Sequence, residues 1–285
     1  MKIEVIAGPT ASGKTALALA RASEDSRVEI VNADASLLYK GFDIGTAKPT
    51  RSEREQTPHH LIDILEADQV FSAADYSAQA RDIICEILAR GGRPIVVGGT
   101  GFYIDALFFG LSPIEADPDA LEKARDTYDR LFEEKGFDIL LDELKPIDPV
   151  LYQQIERERN PRRLQRAWEF YLATGTSLGQ ARLAERDSFE YKPEFTILLP
   201  EREVLLERIT KRIYQMIDAG WVEEVRALLA SGITTDMPAM KAIGYRTLVE
   251  VLRWEKELSA AVEEIIIQTR QYAKRQVTWL KRYGT

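Results

Sequence analysis

Short apolar runs alternate with helical patterns through the first hundred residues. IEVIA (3–7) reads as a strand, and the helix formers of GKTALALARA follow it. VEIVNAD (28–34) is a second, β-branched run and HHLIDIL (59–65) a third. A helical pattern then spans Ser72 to Arg90, with Ser72 placed as its N-cap, and GGRPIVVGGTG (91–101) is a fourth strand between glycines. This alternation predicts an α/β fold, a parallel sheet with helices on both faces. From Leu111 to about Pro149 the chain turns charged, helical and proline-bounded, and reads as part of a helical insertion beside the sheet. In NPRRLQRAWEFYLATG, Asn160 is placed to cap a helix, Pro161 suits its first turn and Gly175 its end. FTILLP (195–200) returns to a strand pattern and is expected to rejoin the sheet, and helices follow, the last from about Ile265 to Tyr283. The predicted organisation is a core built from 1–110 and about 190–285, with a helical insertion over about 111–189.

Composition changes this picture in three places. The apolar runs are a handful of residues long, far short of the ~20 that span a bilayer, so no membrane association is expected. A cleaved signal peptide would remove the loop described next, so a cytoplasmic location is expected. The single cysteine, Cys85, excludes an internal disulfide framework, and its aliphatic neighbours in DIICEIL suit a small buried hydrophobe. The net charge of −8 argues against a nucleic-acid partner on average, yet from Ile265 onward there are five basic residues and no acidic one. There Ile266, Ala273, Val277 and Leu280 share one helical face, Arg270, Lys274 and Lys281 line a flank, and Arg275 and Arg282 project elsewhere. The pattern favours contact with a polyanion over a merely solvated face. A second basic cluster, Arg157 to Arg166, is interrupted by Glu156 and Glu158.

The chemistry begins at GPTASGKT (8–15), which fills every fixed position of the phosphate-loop pattern G-x-x-x-x-G-K-S/T between a strand and a helix. Gly8, Thr10, Ala11, Ser12 and Gly13 supply a backbone whose amides turn inward. Lys14 adds a mobile charge, and the Thr15 hydroxyl suits Mg²⁺. Asp34 closes the second strand and lies near this loop if strand two neighbours strand one. General base, water-mediated Mg²⁺ partner and turn cap all fit it. In a phosphate-loop NTPase an aspartate closing an apolar strand holds Mg²⁺, whereas RPIVV here closes with GGTG and no acid. That favours holding phosphates without activating water against them. The Thr100 hydroxyl suits either a substrate contact or a helix cap. His59 and His60 are adjacent on a strand, point to opposite faces and cannot easily share one metal ion.

Taken together, the chain resembles the tRNA dimethylallyltransferase (isopentenyl-tRNA transferase) family. The resemblance rests on GPTASGKT, NAD with YKGFDIGTAKP, HHLID, FSAADY, PIVVGGTGFYIDAL, NPRRLQRA, TGTS, DAGWVEEV, AIGYR and QYAKRQVTWLKR, in family order along the chain. It implies a phosphate-loop NTPase-like core that binds dimethylallyl diphosphate and transfers the dimethylallyl group to N6 of the adenine 3′ of the anticodon in tRNA, with Mg²⁺ as cofactor. It also implies that Asp34 is the base toward that amine, that Thr100 positions it, and that Lys14, Thr15 and Arg212 hold the leaving diphosphate. Arg162, Arg163, Gln165, Arg246, Arg270, Lys274 and Arg275 would face the anticodon stem-loop. Ala35, Leu37 and Thr247 depart from residues common in the family, which touches the details of base recognition. Two rivals share parts of the pattern. A free-adenylate isopentenyltransferase would use the same core chemistry, and a small phosphate-loop kinase explains residues 8–15 but not GGTG, HHLID or the basic helix.

Overall fold

The structure is a computed structural model that describes residues 1–111, 117–182 and 187–284, with the backbone alone at position 118. Positions 112–116 of the predicted insertion lie outside the described residues. The chain falls into two compact units, Met1–Phe108 with Phe189–Thr285, and Phe109–Ser188.

In the first unit five parallel strands form one sheet: β1 (Lys2–Ala7), β2 (Val28–Asn32), β3 (His59–His60), β4 (Arg93–Gly98) and β5 (Lys192–Ile197), in the order β3-β2-β4-β1-β5. Between them run α1 (Lys14–Glu24), α2 (Arg51–Gln56), α3 (Ala73–Ala89) and α4 (Gly101–Phe109). Ile6, Val28, Ile30, Ile95 and Val97 pack with Ala18 of α1, while the alternate side chains Val5, Val31 and Val96 are equally buried. A sheet buried on both faces needs continuous apolar strands, which is how β1, β2 and β4 read. Ser72 caps α3 through a reciprocal box with Asp75, as its position in the sequence implies.

The extent of β5 and the neighbour of β2 differ from the sequence reading. β5 occupies Lys192–Ile197 because its partner β1 ends at Ala7: Leu198 donates the last ladder bond to the Ala7 carbonyl (2.8 Å), and beyond it β1 has turned away. β2 does not neighbour β1, since β4 lies between them.

The second unit contains α5 (Pro118–Leu144), interrupted at Gly136 where φ is 74°, then α6 (Pro149–Glu158), α7 (Pro161–Thr174) and α8 (Leu178–Ala181). Its own core gathers Leu140, Leu144, Ile155, Leu164 and Trp168, the indole donating to the Leu140 carbonyl at 3.0 Å. Asn160 caps α7 by accepting from the Arg162 and Arg163 amides, and Gly175 ends it at φ 71°.

After β5 come α9 (Arg202–Asp218), α10 (Trp221–Ala230), α11 (Tyr245–Leu252) and α12 (Leu258–Leu280). The last helix starts seven residues before Ile265 because Ala261 and Val262 also bury against the cluster around Trp221, Tyr245 and Leu248. Glu224 of α10 anchors the loop after β2: it accepts from the amides of Asp43 (3.0 Å), Ile44 (2.7 Å) and Gly45 (3.3 Å) and from the Tyr245 hydroxyl (2.7 Å). Removing that carboxylate leaves several donors unmatched at once. Glu224→Ala is therefore expected to lower stability by about 3 kcal/mol in urea denaturation, with Glu224→Gln losing less, because an amide oxygen still accepts. Equal midpoints for wild type and Glu224→Ala would show that water replaces the anchor.

Candidate active site

Parallel strands send all their exits to one edge of the sheet, where ligands gather. The exits of β1, β4 and β2 carry the phosphate loop, GGTG and Asp34. Gly13 is the N-cap of α1 with φ 94°, a left-handed turn that suits glycine, and no side chain caps the helix. Its first amides therefore stay available to an anion. The Ser12 hydroxyl is buried without a hydrogen-bond partner. Lys14 folds back over the loop, its Nζ 3.4 Å from the Pro9 carbonyl and 4.0 Å from Asp34 Oδ2.

Asp34 spends its two oxygens differently. Oδ1 accepts from the Ser36 amide (3.2 Å) and hydroxyl (2.7 Å), capping the short helical turn Ala35–Leu38, while Oδ2 faces Lys14. The cap thus orients the carboxylate. The intervening β4 does not separate Asp34 from the loop, because its last residue is Gly98. A Cβ there would stand 2.1 Å from the Ala33 carbonyl oxygen, so the chain leaving β2 passes directly over the end of β4. Ala33 donates to the Val97 carbonyl (2.8 Å), and its own carbonyl accepts from Thr100 (3.1 Å). The Thr100 hydroxyl accepts from the Ala35 amide at 3.1 Å, with the Tyr272 phenol beside it.

Thr10 to Thr15, Asp34, Arg212, Tyr272 and Arg275 line one cleft of about 1060 Å³. Burial holds the Lys14 ammonium below its ordinary value, with Asp34 opposing the shift and Arg212 adding to it. Burial lowers Arg212 in the same way, again opposed by Asp34. The Tyr103 phenol is pushed up to about 12 by burial first, then by Tyr39, Asp75 and Asp34. Tyr272 is raised by burial and by Asp34, and stays protonated. The cleft thus concentrates two desolvated cations beside the Asp34 carboxylate.

Other residues singled out in the sequence lie apart from this group. Arg270 donates to Thr210 of α9 at 2.9 Å, and Lys274 and Arg246 are exposed. Arg275 sits over the Tyr272 ring, 5.8 Å from its centroid, and is the one basic residue of the α12 set that lines the cleft. In the second unit Arg162 donates to Gln165 (2.9 Å) and Arg163 pairs with Glu158 (2.8 Å). His60 meets Glu29 at 2.7 Å and His59 the Thr57 carbonyl at 2.7 Å, on separate partners. Sequence reading passed over Tyr272 and Gln276. A glutamine on the buried face of an otherwise apolar stripe is the signal that marks Gln276. Its carboxamide meets the Thr10 amide and the Gly99 carbonyl, each at 2.9 Å.

The fold and cleft define a phosphate-loop α/β protein whose loop adjoins the half-buried Asp34 carboxylate. Residues 37–283 match the family model described as IPP transferase. The tRNA dimethylallyltransferase of Thermoanaerobacter sp. (strain X514) is 41% identical over 288 residues, covering 99% of this chain and 90% of that protein. Among solved structures, the full-length tRNA isopentenylpyrophosphate transferase from Bacillus halodurans shares 36% identity at a TM-score of 0.69, over 98% of this chain and 86% of that one. A eukaryotic dimethylallyltransferase acting on tRNA superposes with a TM-score of 0.80 at 27% identity, over 98% of this chain and 69% of that one. This chain belongs to the IPP transferase family. Among the described residues no helix is long and apolar enough to cross a membrane.

The lowered Lys14 value has a measurable consequence. An anion in the loop favours protonated Lys14, so affinity for pyrophosphate falls as pH rises through the lowered pKa, below the ordinary 10.5. Lys14→Arg keeps its charge and is expected to move that fall to higher pH, read as the difference between the two binding profiles. Superimposable profiles would remove Lys14 from the grip.

Proposed function

We propose that the protein transfers the dimethylallyl group from dimethylallyl diphosphate to N6 of the adenine 3′ of the anticodon in tRNA, releasing diphosphate in the cytoplasm. The observation that carries this reading is the cleft itself, which holds an uncapped helix N-terminus, Lys14 and Arg212 beside the oriented Asp34 carboxylate. The names of the relatives supply the group transferred and the RNA that accepts it.

In this reading the N6–C bond forms at the allylic carbon as its C–O bond to diphosphate breaks. The N6 proton passes to Asp34, whose Oδ1 is held by Ser36 while Oδ2 faces the cleft cations. An adenine amine is a weak nucleophile, so a base acting as the bond forms lowers the barrier. Loop amides at Ala11 and from Gly13 to Thr15, with Gly8 giving room beneath Ser12 and Thr10 and Ser12 lining the same cleft, hold the departing anion. Lys14 and Arg212 stabilise the charge it gains, an effect strengthened by their desolvation. Thr100, fixed through the Ala35 amide, positions the amine.

Mg²⁺ fits this donor set. Mg²⁺ binds through one or two carboxylates plus phosphate oxygens, and Thr15 and Asp34 line the same cleft. Among the described residues no cluster of three His, Cys, Asp or Glu offers an all-protein site. Thr15 would hold the ion, with Asp34 near it, and the ion when bound would offset charge on the diphosphate oxygens.

Reaching a stacked loop base requires extruding it, at a cost of a few kcal/mol. Contacts from Arg270, Lys274 and Arg275, from Arg246, and from Arg162, Arg163 and Gln165 are assigned to offset that cost.

The deciding experiment incubates labelled dimethylallyl diphosphate, Mg²⁺ and unmodified tRNA with the protein and analyses the nucleosides. Label on N6 of the adenosine 3′ of the anticodon is expected; equal prenylation of free AMP would move the assignment to a nucleotide prenyltransferase. Asp34→Asn is expected to slow turnover by about 10²-fold or more with pyrophosphate affinity nearly unchanged, and unaltered turnover removes Asp34 as the base. Arg270→Gln with Lys274→Gln is expected to flatten the salt dependence of tRNA binding by about one log unit per lost phosphate contact. An unchanged slope would make this flank of α12 a solvated face.

A further inference from the structure

The phosphate loop is tied to α12 by one side chain. Gln276 is 4% exposed and sits one turn beyond Tyr272 and beside Arg275, both of which line the cleft. Its carboxamide makes two bonds of opposite sense: Oε1 accepts from the Thr10 amide, and Nε2 donates to the Gly99 carbonyl, each at 2.9 Å. The partners force this orientation, since an amide N–H can only donate and a carbonyl only accept.

These two partners belong to different strand exits. Thr10 follows β1 and Gly99 follows β4, neighbours in the sheet whose direct pairing ends with the long Gly8–Gly98 bond of 3.4 Å. Gln276 continues the connection where the ladder stops. Position 99 is shaped around it, because a Cβ there would stand 2.3 Å from Nε2 and 2.9 Å from the Gly8 carbonyl. The bond also engages the Thr10 amide, as the Pro9 carbonyl engages that of Ser12, leaving the amides of Ala11 and of Gly13 onward to face an anion. Glutamate at 276 keeps the acceptor and loses the donor; leucine keeps the bulk and loses both.

We propose that Gln276 is a positioning residue: by clamping Thr10 to Gly99 it sets the width of the phosphate loop, and with it the affinity of the cleft for a diphosphate group. The proposal rests on the diphosphate reading of the cleft given above. It places control of the grip on the same helix that carries the basic flank.

The test compares full-length wild type, Gln276→Leu and Gln276→Glu by calorimetric titration with pyrophosphate and Mg²⁺, by KM and kcat for dimethylallyl diphosphate, and by Kd for an anticodon stem-loop RNA. Both variants are expected to raise the pyrophosphate Kd and the KM by about tenfold, one hydrogen bond's worth, while the RNA Kd stays within about twofold. Should the leucine variant fail to fold, the glutamate variant, with the wild-type shape, carries the comparison. Pyrophosphate affinity within twofold of wild type in the folded variants overturns the proposal. So do equal losses for pyrophosphate and RNA, which would mark a general structural role. Wild-type protein that binds pyrophosphate yet prenylates no RNA would sink the transfer reading alone, and the pyrophosphate comparison would still decide Gln276.

Discussion

Assembly of the cleft depends on one backbone crossing, that of Ala33 over Gly98. Three parallel strands deliver their exits to the same edge, but β4 stands between the strand that ends in the phosphate loop and the strand that ends in Asp34. Any side chain at position 98 would meet the Ala33 carbonyl at 2.1 Å and push the β2 exit outward. Without one, the crossing is held from both sides by Ala33 to Val97 and Thr100 to Ala33. Asp34 is then carried across to within 4.0 Å of Lys14. GGTG is therefore a splice between strand exits, and its glycines answer a packing demand before a ligand's.

Electrostatics follow from that geometry. Lys14 and Arg212 are each disfavoured by burial, and the Asp34 carboxylate offsets only part of the cost. Without an anion, the site holds more positive charge than it neutralises. In the proposed reading a bound diphosphate would complete the balance, and would do so where charge increases as its bond to the dimethylallyl group breaks. A water-activating site gains nothing comparable from this arrangement, which agrees with a β4 that closes on glycine rather than an acid.

Much of this was readable along the chain because it is governed locally. Ser72 and Asn160 cap the helices they precede, Gly175 ends one, and the phosphate loop lies between β1 and α1. These are decisions made within a few residues. The rest depends on partners far away in sequence. Nothing near VEIVNAD reveals that β4 is inserted beside it, and the end of β5 is decided by where β1 turns away. Glu224 reads as one acid of a charged helix until the loop amides at 43 to 45 close on it. Tyr272 and Gln276 read as members of a basic, amphipathic helix. Their partners Thr100 and Thr10 are fixed by the tertiary fold, and no periodicity carries that information.

The same helix shows why a phosphate loop alone says so little about function. The loop's backbone fits any phosphate, and its selectivity must come from what is brought against it. Here that is α12, which presents Tyr272 and Arg275 to the cleft, Gln276 to the loop, and Arg270 and Lys274 to solvent. One helix thus touches the phosphate loop on its inner side and offers a basic flank on its outer side. A polyanion bound to that flank adjoins the small anion's site without any strand having to move. In the proposed reading, binding energy gathered on the outer face would act through a helix whose inner face is bonded to the phosphate loop at Thr10.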